Sequence, residues 1–105
     1  MKPDLPSSIA AYYQSRKSLV CELGVQPWLC EFWPEVEVIQ NNAEYEVPIN
    51  APGYFGFATS GGGEMYALSP LGKVVCLAFL GMSPHEELVV AESWSAFEGM
   101  LRDAL

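Results

Sequence analysis

The sequence predicts one domain that mixes α-helices with an antiparallel β-sheet, an α+β arrangement, and three observations point there. The chain has 105 residues, half of them hydrophobic, which is the size of a single domain and supplies apolar material for a core. Helix-period patterns stand near both ends. Between them, strand-like runs separated by turn residues follow one another as an antiparallel meander. No repeat, low-complexity stretch or linker divides the chain, so residues 1–105 are expected to form one unit.

Leu5-Pro6-Ser7-Ser8 has the residues of a helix start, with serines as candidate caps. Ile9, Tyr12 and Tyr13 then recur at helical spacing, and Arg16-Lys17 suit the C-terminus of such a helix. Leu19 to Leu23 is a short apolar run closed by Gly24 and predicts a strand. Trp28 to Trp33, held between Pro27 and Pro34, is short enough to favour an extended segment. Pro34 fits the first turn of a short helix carrying Glu35, Val36, Val38 and Ile39, with Asn41-Asn42 expected to end it. Tyr45 to Pro52 carries many breakers and is expected to be a loop.

The meander is clearest in the second half. Tyr54 to Thr59 predicts a strand, Ser60-Gly61-Gly62-Gly63 a turn, and Glu64 to Leu68 the returning strand. Pro70-Leu71-Gly72 turns again into Val74 to Phe79, which is apolar at successive positions and therefore reads as a central strand covered on both faces. Trp94, Phe97, Leu101 and Leu105 mark a final helix, capped by Ser93 or by Ser95, the latter forming a capping box with Glu98.

Thirteen acids against five bases leave a net charge of −8. A polyanion such as nucleic acid repels such a chain, and so does an anionic membrane surface. A basic protein partner is the complementary choice, although charge by itself also serves solubility. Glu31, Glu35, Glu37, Glu44 and Glu46 fall close together in sequence without an intervening base, the densest negative stretch. No run approaches the roughly 20 apolar residues of a membrane helix. Met1-Lys2-Pro3-Asp4 lacks the apolar segment of a signal peptide, so the cytoplasm is the expected location.

The residues that could carry chemistry each meet a plainer explanation. His85, the only histidine, follows Pro84 in a polar segment and reads as a solvated loop or the first turn of a helix. With Cys21, Cys30 and Cys76 dispersed along the chain, it offers no zinc spacing. An odd, sparse set of cysteines makes no disulfide framework, and Cys21 and Cys76 sit in apolar runs as small core residues. Ala58-Thr59-Ser60-Gly61-Gly62 has the look of a nucleophile elbow, but a strand is expected after it where the elbow needs a helix. Gly61-Gly62-Gly63 lacks the lysine and hydroxyl of a phosphate loop, and Glu64 would repel phosphate. The paired carboxylates Glu35 and Glu37, Glu44 and Glu46, and Glu86 and Glu87 read as a solvated acidic face. No catalytic residue, cofactor or metal is therefore expected. Trp28, Phe32 and Trp33 have two readings, as core or as an anchor beside the acids, with core favoured most for Phe32.

The run Phe32-Trp33-Pro34-Glu35-Val36-Glu37-Val38-Ile39 followed by Asn42 resembles the tryptophan, acidic-helix and asparagine segment of the SUKH superfamily. Ala51-Pro52-Gly53-Tyr54-Phe55-Gly56-Phe57, Ser60 to Leu68 with its triple glycine and acid, and Val90-Ala91 with Ser93-Trp94, Phe97 and Leu101 are similar to it as well. Where members often carry Asn-Gly-Gly after the first helix, this chain has Gln14-Ser15-Arg16-Lys17. The superfamily includes the yeast cell-wall-assembly regulators and many bacterial immunity proteins.

The resemblance implies a mixed, mostly antiparallel sheet with helices packed mainly on one face. It also implies a protein-binding role: an immunity protein that neutralises a basic toxin domain of nuclease or deaminase type. The alternative is a non-catalytic interaction module in a regulatory or structural assembly. A third possibility is a small-molecule binder or enzyme with a pocket near Glu64 and Tyr66. Trp33, Glu35, Glu37, Glu44, Glu46 and Glu64 are the candidate partner-binding residues.

Overall fold

The computed structural model describes residues 5–104, so Met1 to Asp4 and the place of Leu105 on the last helix lie outside it. The chain runs through α1 (Ser7–Gln14), β1 (Val20–Glu22), β2 (Leu29–Phe32), a 3₁₀ turn (Glu35–Glu37), α2 (Val38–Glu44) and α3 (Val47–Asn50). It continues through β3 (Phe55–Thr59), β4 (Glu64–Leu68), β5 (Val74–Ala78), a second 3₁₀ turn (Pro84–Glu86), β6 (Leu88–Ala91), α4 (Trp94–Met100) and β7 (Arg102–Asp103). The strands form one sheet in the order β6-β5-β4-β3-β2-β1-β7, and every neighbouring pair is antiparallel. The α+β character and the meander of β3, β4 and β5 are as the sequence predicts. Among the described residues, no helix is long and apolar enough to cross a membrane.

Alternation along the central strands decides where the helices go. Side chains of a strand point to opposite faces in turn. Tyr66, Val74 and Cys76 enter one core with Ile9 and Tyr12 of α1 and Phe97 of α4. Met65, Ala67, Val75 and Leu77 enter a second core with Val38 of α2 and Val47 of α3. The helices are therefore divided between both faces rather than gathered mainly on one. The reason is that β4 and β5 bury apolar residues on each side, and each side needs a cover.

Three local expectations give way to tertiary packing. Asn42 does not end α2, because its side chain is buried and donates to the Val38 carbonyl at 2.9 Å and to the Gly56 carbonyl at 2.8 Å. Tyr45 to Pro52 is not all loop. Glu46 turns left-handed at φ +56°, Pro48 fits the first turn, and α3 forms with Val47 fully buried. The last helix stops at Met100, and Leu101 becomes extended so that Arg102-Asp103 can pair with β1.

Of the expected caps, Ser93 of α4 forms and the others do not. At the start of α4, Ser93 Oγ accepts from Ala96 N–H at 3.1 Å, while Glu98 pairs with Lys17 instead of closing a box on Ser95. At α1, no side chain caps the first turn, and the helix ends at Gln14. Arg16 follows at φ +54°, so a side-chain-bearing residue takes the left-handed turn that glycine adopts freely. β6 has no counterpart among the sequence readings; its pairing with β5 supplies the order that its pattern did not announce.

Candidate functional site

The acidic stretch unfolds from one buried residue. Trp33 is only 7 % exposed and lies in the second core. Its N–H donates to the Phe57 carbonyl at 3.0 Å, and its own carbonyl accepts from the Tyr13 hydroxyl of α1. These bonds fix the point at which the chain leaves β2, and Pro34 then starts the 3₁₀ turn at φ −55°. Burial raises the Tyr13 hydroxyl above its ordinary pKa, and the Glu35 carboxylate adds to that rise.

From this anchor the chain runs over the surface. Glu35, Glu37, Glu44 and Glu46 are all exposed. Gln40 Nε2 donates to Glu44 Oε1 at 2.9 Å along α2. The ion pairs among the described residues join Lys17 to Glu98 and Lys73 to Glu92, and neither reaches these four acids. Apolar side chains stand among them: Val36 is 89 % exposed, Ile49 71 % and Tyr45 44 %. The Tyr45 ring stacks on Trp33 at 5.8 Å and packs against Phe79 at 4.6 Å, so the exposed ring is continuous with the core beneath. The 3₁₀ turn, α2 and α3 thus expose carboxylates that pair with no cation among the described residues, together with the apolar side chains Val36, Tyr45 and Ile49, residue types that protein-recognition sites combine.

The sequence-level candidates divide accordingly. Glu35 and Glu37 stand exposed on the 3₁₀ turn, Glu44 at the end of α2 and Glu46 at the left-handed turn into α3, and buried Trp33 stacks on Tyr45 between the last two. Glu64 is half-buried and shares its strand face with Tyr66, which belongs to the other core. It therefore stands on the opposite side of the sheet. Val36, Tyr45 and Ile49 escaped the sequence reading, which followed the charge; the apolar residues interleaved with the acids were the available signal. Of the three aromatics weighed as anchors, Phe32 and Trp33 are core, and Trp28 is the exposed one.

The remaining groups have structural partners. Tyr66 is fully buried, and its hydroxyl donates to the Leu29 carbonyl at 2.6 Å. Ser60 is buried, its Oγ accepts from Gly62 N–H at 3.1 Å, and a strand follows it. Gly61 and Gly63 adopt φ of +79° and +93°, which explains glycine there as a turn requirement. Burial pushes the Cys76 thiol up to about 12 and raises Cys30 further, so both are protonated near neutrality. His85 is exposed in the second 3₁₀ turn, its N–H donating to Ser83 Oγ at 3.2 Å.

A cleft of about 480 Å³ lies between α1, β1 and α4 with Tyr12, Lys17, Cys21 and Glu98 in its wall. Its Lys17 and Glu98 are paired to each other, and Cys21 Sγ lies 3.5 Å from the Tyr12 hydroxyl. No protein-family profile, curated protein or solved structure matches this chain.

Proposed function

We propose that this chain is an immunity protein of the SUKH type that binds a basic toxin domain, of nuclease or deaminase type, and blocks it. The observation that carries the reading is the exposed set Glu35, Glu37, Glu44 and Glu46, with Val36, Tyr45 and Ile49 exposed on the same segment and no cation among the described residues paired to the acids. A toxin that acts on nucleic acid needs a basic cleft, and an acidic inhibitor can occupy it in place of phosphate. The apolar side chains supply what charge lacks, since desolvated anchors set the lifetime of a complex while charge sets its rate of formation. The sequence resemblance from Trp33 to Leu101 supports the same assignment.

Co-expression of the chain with a toxin gene lying next to its own tests the proposal. Protection of the cell, together with a direct complex that forms faster at low salt, is the expected result. Normal toxicity in the presence of folded chain, with no binding across a range of salt, would sink it.

A further inference from the structure

The tip of the hairpin between β1 and β2 holds a residue in a conformation that its side chain does not favour. Trp28 has φ +74°, and a bulky residue reaches the left-handed region only where its surroundings enforce it. Three backbone bonds enforce it here: Trp28 N–H to Val25 O at 2.9 Å, Leu23 N–H to Trp28 O at 2.7 Å, and Leu29 N–H to Pro27 O at 2.9 Å. Glycine or asparagine would hold the same turn at lower cost. Nor does core packing repay the choice, because the Trp28 side chain is 56 % exposed.

Beside the indole lies a cleft of about 310 Å³ lined by Glu22, Leu23, Trp28 and Leu29. Its lining combines an indole, an exposed carboxylate and two leucines. Glu31 stands two residues beyond Leu29 and projects from the same strand face. Arg102 is in register with Glu22 across the β1 and β7 pair, yet no ion pair closes between them.

We infer that this cleft receives an arginine side chain of a protein partner, the guanidinium lying flat on Trp28 with Glu22 as its counter-ion. Indole has the strongest ring quadrupole for a cation, and a planar guanidinium both stacks on it and reaches a carboxylate beside it. Quaternary ammonium groups are recognised by cages of several aromatic rings, and one ring is present here. The net charge of −8 favours a basic partner over a second copy of the chain. This assignment does not depend on the acidic surface around α2, nor on the partner being a toxin.

The test is a titration of N-acetyl-arginine-methylamide into the ¹⁵N-labelled chain, following the tryptophan indole N–H resonances. Trp28→Phe identifies the Trp28 signal. That signal should move and saturate while those of Trp33 and Trp94 stay in place. The neutral citrulline analogue should leave it unmoved, and tetramethylammonium should bind more weakly than arginine. Glu22→Gln, a substitution at an exposed position, should weaken arginine binding about two- to fivefold, with the circular dichroism spectrum showing that the fold persists. No saturable shift with arginine, an equal response to citrulline or to tetramethylammonium, or unchanged affinity in Glu22→Gln would each overturn the assignment.

Discussion

The carboxamide of Asn42 closes on both backbone groups of Gly56: Nδ2 donates to the Gly56 carbonyl at 2.8 Å, and Oδ1 accepts from the Gly56 N–H at 2.7 Å. A residue of α2 thereby does for β3 what a neighbouring strand would do. The need arises because β2 pairs with β3 only at Glu31↔Thr59 and Phe32↔Ala58, after which the chain departs at Trp33. The register of β3 on β4 also shifts between Gly56 and Ala58.

Asn42→Ala should therefore destabilise the fold by about 2–4 kcal/mol, since a buried N–H and a buried carbonyl both lose their partner. Urea unfolding would show a lower midpoint at an unchanged slope. A loss below about 0.5 kcal/mol would mean that water replaces the carboxamide.

Gly56 is constrained from its other side as well, because a Cβ built there lands on Met65 Sδ. Gly56→Ala should cost about 1–3 kcal/mol through overpacking. Truncating the obstacle should relieve part of that, so Gly56→Ala and Met65→Ala in one chain should be less destabilising than the sum of the two. Strict additivity in a double-mutant cycle would contradict the contact.

These two residues show what the sequence could and could not reveal. Gly56 sits inside an apolar run, and nothing local says that its N–H needs an amide fourteen positions away. Asn42 was legible as a helix stop because asparagine ends helices when it acts locally; here it acts at long range and sits within one. Val47-Pro48-Ile49-Asn50 looked like loop for a similar reason, since burial of Val47 outweighs the breakers around it. By contrast, β3, β4 and β5 were readable because short apolar runs bounded by turn glycines are local signals. At the candidate site the acids were visible as a charge run, whereas Tyr45 acquires its place only by stacking on Trp33.

Alkaline pH should weaken the fold. The Tyr54 hydroxyl donates to Glu87, and that bond with partial burial pushes its pKa up from 10.0 to about 12. Burial raises Tyr12, Tyr13 and Tyr66 further. A raised folded-state pKa means that folding favours the protonated hydroxyl. Its contribution is complete below pH 10 and fades as pH climbs through the folded value. The melting temperature should fall above pH 10, and Tyr54→Phe should flatten the decline between pH 10 and about 12. A wild-type chain whose melting temperature is level across that range would refute the linkage.

Replacing Glu35, Glu37, Glu44 and Glu46 together by lysine separates binding from folding. The four side chains are exposed and unpaired with any cation among the described residues, so stability should stay within about 0.5 kcal/mol of the original for each site. Association with a basic partner should slow by about tenfold or more at low salt. Stopped-flow rates that do not change would show that the surface is merely solvated.

The sheet order has a kinetic meaning. From β1 to β6 each strand lies beside its predecessor in the chain, so most of the sheet can grow by adding the next segment to an existing edge. β7 is the exception. Its two residues must find Cys21 and Glu22 after most of the chain has intervened. Amide exchange should divide the molecule along that seam: the pairing of Arg102-Asp103 with β1 opens first, and the ladder between β4 and β5 surrenders its protons only when both cores come apart.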